Sequence, residues 1–496
     1  MLRVLSNRDL RPMPSRCLVS VTMVTGPVFE LFDYNIADKP PTSESFCYPL
    51  NRTPVYESCA GIDDVNVICD LLAEAKGPFA FVYHRPDLQH VFVGRDRFGR
   101  CSLVASRTKS GNKMVFSKYA SFEEPEMLRM SIPAGSMYII DYQKGGFDFI
   151  TFIAYERLQN KEPLIRKFQA YRYMAEGAIV MPKVINDEEV IVSAAELDAY
   201  AVEGISKFDD AMLTVTSDVK DDNQAVGILF SGGVDSLLVA IFAHRCLPKD
   251  RQIDLINVAF GNSEKSPPRT APDRPHSIDA YEYLCKKYPS RNFKMVLVDV
   301  MKEEVASERV SSYGKYINPQ VTVLDDSIGT VLYFASRAQG TLYETADNFT
   351  SDCRILLVGS GADELFGGYS RHRGRFEDRG RSGLIQELND EIENIGDRNL
   401  GRDDRVISSN KREVRIPFLE DEFAAWAMNL PLDAKVNFDL PRGRGEKIVI
   451  REMLKRLGVE EKLYSAPKKA MQFGTKIAKL EAVKEKGGDA CNRLTG

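Results

Sequence analysis

The sequence Ser231-Gly232-Gly233-Val234-Asp235-Ser236 separates two apolar runs, residues 226–230 and residues 236–242. The first run is typical of a buried parallel strand, and the second is typical of the helix that follows such a strand. Two glycines let the backbone turn tightly and approach a ligand, while the N–H groups that open the helix point at any anion in the loop. We therefore predict an anion-binding loop, with pyrophosphate as its natural ligand.

The loop belongs to a particular class of phosphate-binding sequence. No Walker sequence Gly-x-x-x-x-Gly-Lys-Ser/Thr occurs in the chain, which argues against a P-loop kinase or GTPase. Ser-Gly-Gly-x-Asp-Ser after a strand resembles the pyrophosphate loop of the ATP pyrophosphatases, which form adenylates and release pyrophosphate. A glycine-rich turn without a ligand is the alternative, and the order of strand, loop and helix disfavours it.

Composition excludes several classes of protein. The 496 residues carry 66 Lys and Arg against 71 Asp and Glu, a charge of −5 that suggests neither a nucleic-acid scaffold nor a polybasic membrane binder. Nine scattered cysteines without a Cys-x-x-Cys pair, and only five histidines, argue against a disulfide framework and a zinc site. No apolar run approaches the ~20 residues of a membrane helix.

We therefore expect a cytoplasmic protein with reduced thiols and small-molecule partners, binding neither nucleic acid nor a membrane. Residues 1–17 carry four arginines and one acid, as a mitochondrial presequence does, but Pro12 and Pro14 interrupt the pattern. The oligomeric state stays open, with a homodimer among the alternatives.

The sequence pattern from residue 18 to about 155 predicts a β-rich α/β domain in the first part of the chain. Its apolar segments, separated by turn residues, predict strands, and a helix is predicted over 64–75. The segments predicted as strands are 79–83, 91–93, 102–105 and 137–140. A charged stretch with Pro163 and Pro182 then predicts a domain junction.

After residue 225 strands and helices alternate, which indicates a doubly wound parallel sheet with ligands at the carboxyl ends of its strands. The predicted elements are strands 253–260, 294–300 and 354–359 and a helix around 328–338. The polar stretch 261–277 directly follows one of the strands, so we predict that it overlies the site.

A second glycine-rich loop with acidic residues, 360–369, follows strand 354–359. Two such loops at the ends of parallel strands can face each other across a nucleotide. Residues 231–236, 359–369 and 413–420 match, in the same order, three sequences of the synthetase domain of glutamine-dependent asparagine synthetase. The chain resembles that family over about 225–480. It resembles still more closely the branch of eukaryotic asparagine synthetase domain-containing proteins, through residues 323–329, 369–373, 399–406 and 469–474.

The resemblance extends more weakly into the first part of the chain, where residues 77–83 and 94–100 resemble the family's glutamine amidotransferase domain. The implied architecture is α/β. It comprises a truncated Ntn-type amidotransferase-like αββα domain over 1–160, a linker over 161–192, and a doubly wound ATP pyrophosphatase domain, adenine nucleotide α hydrolase-like, over 193–496.

The resemblance also implies roles for individual residues, with ATP and Mg²⁺ as cofactors. Asp235 and Asp363 would bind the Mg²⁺ that bridges the phosphates. Pyrophosphate would be held by Ser231, Gly232, Gly233 and Ser236, and adenosine by Phe230, Phe260, Val358 and Gly359, largely through the backbone.

Forming an acyl-adenylate from two anions requires a divalent cation and basic side chains that screen the charge on pyrophosphate. Lys447 is one candidate for that role. Lys468 or Lys469 is the other, and the catalytic set assigned here is Asp235, Asp363, Lys447 and Lys469.

Some of these residues have alternative explanations. An Asp after Gly-Gly is often a helix N-cap, which is the alternative for Asp235. Arg415 is as well suited to brace a loop as to contact substrate, and we expect His372 to be structural or a polar surface residue.

The first departure from the family concerns the glutaminase. Its nucleophile is an N-terminal cysteine whose own α-amine serves as base. Here residue 2 is Leu, and Cys17 is internal and lacks the expected Cys-Gly-Ile. The family's Asn-Gly-Glu is represented only by residues 25–27. Either glutaminase activity has been lost or this sequence begins too late.

The second departure lies in the loop after strand 354–359. The family's Gly-Glu-Gly-Ser-Asp-Glu is Gly359-Ser360-Gly361-Ala362-Asp363-Glu364 in this chain. The family glutamate is thought to help deprotonate ammonia, and a serine hydroxyl cannot do so unaided near neutral pH. We expect metal and nucleotide binding to survive this change, while the amide-forming step is in question.

The function implied by the resemblance is a two-step ligase reaction. Aspartate and ATP would give β-aspartyl-adenylate and pyrophosphate, and ammonia or nitrogen from glutamine would then give asparagine and AMP. One alternative is a catalytically impaired pseudoenzyme that serves as a nucleotide-binding scaffold. Another is an adenylating enzyme that acts on a different acid or on tRNA. No basic patch or Cys pair in the sequence supports the hypothesis that it acts on tRNA.

Overall fold

The computed structural model contains three β-sheets. It describes residues 20–23, 29–32, 77–85, 90–107, 113–120, 127–141, 150–154, 170–172, 185–186, 190–219, 224–480, 486–491 and 493–494. Two largely antiparallel sheets are built from the chain before residue 173, and a largely parallel sheet from the chain after residue 225.

Within its described residues, the first part of the chain contributes ten strands. They are β1 (Ser20–Met23), β2 (Phe29–Phe32), β3 (Ala80–Arg85), β4 (His90–Arg95), β5 (Val104–Arg107), β6 (Lys113–Ser117), β7 (Leu128–Ser131), β8 (Ser136–Asp141), β9 (Ile150–Ala154) and β10 (Ala170–Arg172). One sheet has the order β1-β3-β4-β8-β9-β10 and the other β2-β6-β5-β7. Residues 91–95 of β4 are all buried, so both faces of the six-stranded sheet are covered there.

Strands β3, β4, β5 and β8 confirm the four apolar segments predicted as strands. The helix predicted over 64–75 lies outside the described residues, as do Leu2 and Cys17. Within the predicted linker, 161–192, β10 pairs in parallel with β9. The division into domains and the amidotransferase-like fold of the first part stay predictions.

The second part of the chain forms a seven-stranded sheet. Its strands are β11 (Val226–Leu229), β12 (Ile253–Gly261), β13 (Phe293–Met301), β14 (Gln339–Leu342), β15 (Asn348–Thr350), β16 (Ile355–Leu357) and β17 (Glu413–Arg415). The spatial order is β15-β14-β13-β12-β11-β16-β17. The five strands from β13 to β17 in this order run parallel, and β14 and β15 form an antiparallel edge. The predicted parallel sheet is confirmed.

Helices connect and cover these strands. They are α1 (Ala194–Thr216), α2 (Val234–Cys246), α3 (Arg274–Lys287), α4 (Lys302–Glu308), α5 (Gly314–Ile317), α6 (Val323–Arg337), α7 (Ala362–Phe366), α8 (Ser370–Ile395), α9 (Gly401–Ser409), α10 (Asp421–Asn429), α11 (Leu432–Lys435), α12 (Ile448–Arg456), α13 (Glu461–Tyr464) and α14 (Met471–Gly474). Short 3-10 turns lie at Pro268–Thr270, Pro417–Leu419 and Ile477–Lys479, and π-helical segments at Arg309–Tyr313 and Gly396–Leu400.

Burial explains why the centre of the sheet has such apolar sequences. All nine residues of β12 are buried, as are ten of the thirteen residues of α2. A parallel strand covered by helices on both faces has no polar side, so its sequence does not alternate. At the surface α1 starts differently, with a capping box in which Ser193 and Glu196 satisfy each other's backbone N–H groups.

The strand order places ligand-binding loops at one edge of the sheet. From β11 the chain passes to β12 on one side, whereas β16 lies on the other side of β11. At such a switch point the loops that follow the two neighbouring strands diverge and leave a crevice between them. The loops after β11 and β16 are those that the sequence analysis singled out.

Among the described residues, no helix combines the length and the apolar character needed to cross a lipid bilayer.

Lys435 makes stability depend on pH. Its side chain is fully buried, and within the described residues its hydrogen bond is a long one, 3.4 Å to the carbonyl oxygen of Met428. Burial lowers the pKa of Lys435 from 10.5 to about 7. The unfolded chain therefore binds more protons than the folded chain between these two values, and the free energy of unfolding rises with pH across that window.

We predict that Lys435→Met raises the free energy of unfolding at pH 6 by on the order of 3 kcal/mol, because it removes a buried charge. The gain shrinks as the pH rises from 7 to 10.5 and vanishes above 10.5, where lysine is neutral in both states. Urea denaturation at several pH values checks this, with Lys302→Met at the exposed start of α4 as the control. Equal stability of variant and parent at pH 6 contradicts the prediction.

Candidate active site

The loop after β11, residues 230–233, turns at Gly232. Gly232 has a φ of +75°, and a Cβ added there would lie 2.6 Å from the carbonyl oxygen of His276. Both observations require glycine at this position. Ser231 Oγ accepts a hydrogen bond from the N–H of Gly233, at 3.3 Å, and Ser236 Oγ donates to the carbonyl of Gly233, at 3.2 Å. The two serine hydroxyls thus flank the start of α2.

The start of α2 has no side-chain cap. Its N-cap residue is Gly233, and no side chain in the part of the chain that the structure describes caps the first N–H groups. The N-cap alternative for Asp235 therefore does not hold, because this residue lies inside the first turn. A helix N-terminus without a cap retains free N–H donors and the positive end of its dipole for an anion.

The loop after β16 packs directly on the first loop. A Cβ at Gly359 would lie 2.9 Å from the Cβ of Asp235, so the two loops approach as closely as a residue without a side chain allows. Gly361 has a φ of +90° and opens α7, whose first turn carries Asp363. The predicted facing of the two acidic loops is present in the structure.

Four side chains meet where the loops face each other, and we call them the carboxylate–lysine cluster: Asp235, Asp363, Lys447 and Lys468. Lys447 Nζ lies 2.6 Å from Asp235 Oδ1 and 2.7 Å from Asp363 Oδ1. Lys468 contacts Oδ2 of Asp363. Two carboxylates from different loops thus share one ammonium group, and a second ammonium completes the charge balance.

Burial sets the electrostatics of the cluster. Only 1% of the Lys447 side chain is exposed, against 20% for Asp235 and 10% for Asp363. Burial lowers the pKa of Lys447 and that of Lys468, while the nearby carboxylates oppose this effect. The lysines are thus partly desolvated cations that bind oxygen anions strongly.

The position of Lys447 is fixed by its backbone. It is the N-cap residue of α12 with a φ of +55°, a left-handed conformation that is uncommon for a residue with a side chain. Its N–H donates to the carbonyl of Phe366 at the end of α7, at 3.2 Å. Gly368 leaves room for the side chain, since a Cβ there would lie 2.1 Å from Lys447 Cε.

Of the two lysines proposed next to Lys447, the cluster contains Lys468. The side chain of Lys469 is exposed, and its Nζ donates to the carbonyl of Pro272 at 2.9 Å. The ring of Tyr369 covers Lys468, with Nζ 4.9 Å from the ring centroid. Sequence alone did not separate two adjacent lysines in a segment without helical or strand periodicity.

The residues proposed for adenosine line the ends of the strands. Phe230, Phe260 and Val358 are buried, and their side chains lie in the hydrophobic core, so only their backbone atoms can face a ligand. The N–H of Phe230 donates to Ile256, at 2.8 Å, and its carbonyl accepts from Asn257, at 2.9 Å. Both backbone groups of Phe230 thus already have partners within the protein, and the binding of adenosine by these residues stays a prediction.

Several polar residues that the sequence analysis did not assign surround the cluster. Tyr369 donates its hydroxyl hydrogen bond to Glu364 Oε1, at 2.8 Å. Asp273, in the stretch predicted to overlie the site, lies against Gly474 and is attracted by Lys469 and Lys468. Burial raises the pKa of Asp273 to about 6. The polar composition of residues 261–277 was the only sequence signal for it.

Two other candidates lie outside the cluster. His372 is fully buried, its Nδ1 accepts from the N–H of Tyr369 at 3.2 Å, and its Nε2 lies 2.8 Å from Glu391. Arg415 pairs with Asp218 and Glu413. Both arrangements are structural: His372 supports the turn that carries Tyr369, and Arg415 braces a loop.

The cluster fits Mg²⁺ provided that phosphate is also present. Oδ1 of Asp363 is buried and lies 2.7 Å from Lys447 Nζ, yet it accepts no hydrogen bond from the residues that the structure describes. Among the described residues no group of three or more His, Cys, Asp or Glu side chains is placed to hold a metal ion. Mg²⁺ is commonly held by one or two carboxylates together with substrate phosphates, and Asp235 and Asp363 match that donor set.

Comparison with known proteins gives the same family. A family model described as asparagine synthase matches residues 214–386 and 376–493. Asparagine synthetase domain-containing protein 1 of Homo sapiens is 30% identical over 86% of this chain and 81% of its own length. The protein of that name from Gallus gallus is 37% identical over 54% of this chain and 48% of its own length.

A glutamine-hydrolyzing asparagine synthetase of Pongo abelii is 22% identical over 80% of this chain and 63% of its own length. The family match covers more than half of the chain, and the human relative is matched over most of its length. The chain belongs to the asparagine synthase family, which uses ATP.

Proposed function

We propose that this protein is an ATP-dependent ligase that adenylates a carboxylic acid, with aspartate as the first candidate, and passes the acyl group to ammonia or to nitrogen derived from glutamine. The observation that carries the proposal is the carboxylate–lysine cluster. Two carboxylates and two partly desolvated lysines lie at the switch point of a parallel sheet, beside an uncapped helix N-terminus. This combination suits a magnesium-bound triphosphate.

In the first half-reaction a substrate carboxylate oxygen forms a bond to the α-phosphorus of ATP, and the bond to the β-phosphate oxygen breaks. Pyrophosphate leaves with the electron pair. Mg²⁺, when bound to Asp235 and Asp363, would supply charge screening for the phosphates. Lys447 and Lys468 would then exchange carboxylate oxygens for phosphate oxygens, and the N–H groups at the start of α2 would hold the leaving pyrophosphate.

In the second half-reaction ammonia attacks the acyl carbon, AMP leaves and a proton must be removed. Ser360 occupies the loop position where the family glutamate is expected to help with that proton. Because a serine hydroxyl is a poor base near neutral pH, we propose that adenylation is faster than amide formation. An enzyme that adenylates another acid shares the first half-reaction and differs in the second.

Pyrophosphate–ATP exchange tests the proposal. Radiolabelled pyrophosphate enters ATP when the first half-reaction is reversible, so the assay identifies the acid without requiring amide formation. We expect exchange with aspartate or another carboxylic acid, dependent on Mg²⁺. Asp235→Asn and Asp363→Asn should each abolish Mg²⁺-dependent ATP binding in calorimetry while the protein stays folded. Unchanged affinity in both variants would refute the site, and no exchange with any acid would favour a nucleotide-binding scaffold.

Adjacent lysines provide a matched pair of variants. We predict that Lys468→Gln lowers the rate of pyrophosphate exchange by about 10²-fold, because it removes a cation beside the phosphates. Lys469→Gln should lower the rate by less than about threefold, since its ammonium contacts a backbone carbonyl at the surface. Exchange rates of the two purified variants, with circular dichroism as the folding control, check this. Equal losses of exchange rate in the two variants would contradict the assignment of Lys468 to the site.

A substitution at the second departure tests the amide-forming step. We predict that Ser360→Glu makes asparagine from aspartate, ATP and ammonium at least tenfold faster than the parent, because a positioned base typically contributes about 10²–10⁴-fold. Pyrophosphate and asparagine are measured in the same reaction, and Ser360→Gln serves as the isosteric control without a base. If the parent already forms pyrophosphate and asparagine in equal amounts, Ser360 does not slow amide formation and the prediction is contradicted.

A further inference from the structure

Arg100 connects the first part of the chain to the parallel-sheet part. It ends the segment 94–100, which the proposed function leaves without a role. The Arg100 side chain is 7% exposed, and its guanidinium uses all three nitrogens: Nε donates to Asp96 Oδ1 at 2.9 Å, Nη2 to Asp421 Oδ1 at 2.9 Å, and Nη1 to the carbonyl of Leu419 at 2.6 Å. Two of these three acceptors lie in the second part of the chain.

Leu419 links this arginine to the second loop of the site. Its side chain is fully buried, and a Cβ added to Gly361 would lie 2.5 Å from Leu419 Cγ. Gly361, with a φ of +90°, is the N-cap of α7, and its carbonyl accepts the hydrogen bond from Leu365. Asp363 lies in the first turn of the same short helix. The loop with Asp363 therefore packs on the side chain of Leu419.

Apolar contacts join the two parts at the same place. Phe98 is 2% exposed and belongs to the main hydrophobic core of the parallel-sheet part, together with Leu419, Ala362 and Leu365. The second carboxylate oxygen of Asp421 accepts from the N–H of Gly77, at 3.1 Å. Segment 94–100 is thus anchored by a buried side chain and by charged hydrogen bonds, and it is not a loose contact between two surfaces.

We propose that Arg100 is a positioning residue for the site. By holding the carbonyl of Leu419, Arg100 fixes the residue that packs against Gly361 and so the orientation of Asp363. The first part of the chain then has a role in ATP binding that does not depend on glutaminase activity. The inference rests on the proposed function only in naming ATP as the ligand. Without Arg100, the buried carboxylate of Asp96 and the half-buried carboxylate of Asp421 lose their shared cation, and the backbone at residue 419 is released.

The test uses the full chain and compares Arg100→Met with Lys118→Met. Lys118 belongs to the same junction, where its Nζ contacts Asp404 at 2.8 Å and Ser408 at 2.7 Å. None of its hydrogen bonds or ion pairs within the described residues reaches Leu419 or the second loop. Both variants remove one cation from the junction, a buried one at Arg100 and a half-buried one at Lys118, so a loss of thermal stability is expected in both.

Two measurements separate positioning from general destabilisation. Hydrogen exchange of the amides in residues 359–368, in the protein without nucleotide, should become faster in Arg100→Met and stay unchanged in Lys118→Met. Calorimetry should give a roughly tenfold weaker affinity for Mg·ATP in Arg100→Met alone. Adding Leu419→Ala to Arg100→Met should weaken binding no further than Leu419→Ala does by itself, because both act through one contact.

The possible results distinguish a failure of this inference from a failure of the proposed function. If the parent does not bind Mg·ATP, the proposed function fails, and the exchange of residues 359–368 still decides the role of Arg100. Unchanged exchange in Arg100→Met overturns the inference, as does an equal change in Lys118→Met. Should Arg100→Met not fold, Arg100→Lys, which retains the charge and loses the fork of donors, is expected to give the same differences in smaller measure.

Discussion

The buried ammonium group of Lys447 between Asp235 and Asp363 is the interaction on which the site depends. Two carboxylates from different loops would repel each other in a partly desolvated crevice, and each would be costly to bury alone. One cation shared by both removes the repulsion and fixes the distance between the loops. The left-handed backbone at Lys447 and the missing side chain of Gly368 are what this arrangement requires.

This arrangement also prepares the site for a charged ligand. Under the proposed function, the pair of carboxylates bound to lysines would be already placed for a divalent cation, and the lysines would lie beside the phosphates. Little reorganisation would then be needed on binding Mg·ATP, which is the condition under which fixed charges contribute most to catalysis. The uncapped N-terminus of α2 adds a dipole whose positive end faces the same crevice.

Support for the site extends beyond the parallel sheet. α7 is only five residues long, so its orientation depends on what it packs against. At the end of α7, the carbonyl of Phe366 accepts a hydrogen bond from the backbone N–H of Lys447. At its start, Gly361 packs against the side chain of Leu419. Arg100 reaches Leu419 from the first part of the chain, so the two parts share one core at Phe98. A first part without hydrolytic activity would still be needed for a well-formed second loop.

The sequence by itself determined the parallel sheet, the two glycine-rich loops and the pair Asp235 and Asp363. These features follow from local signals: apolar runs long enough for buried strands, and glycines where the backbone must turn or approach closely. The facing of the two loops also followed, because loops at the carboxyl ends of neighbouring parallel strands share one edge of the sheet. The family resemblance then indicated the chemistry.

Only the tertiary structure decided which basic side chains complete the site. Lys468 and Lys469 are adjacent in a segment without periodicity, and packing against Tyr369 and Pro272 turns one towards Asp363 and the other to the surface. The same holds for Arg100, whose acceptor at Leu419 lies more than three hundred residues away in the chain. Contacts between distant segments arise from packing, and local sequence patterns do not encode them.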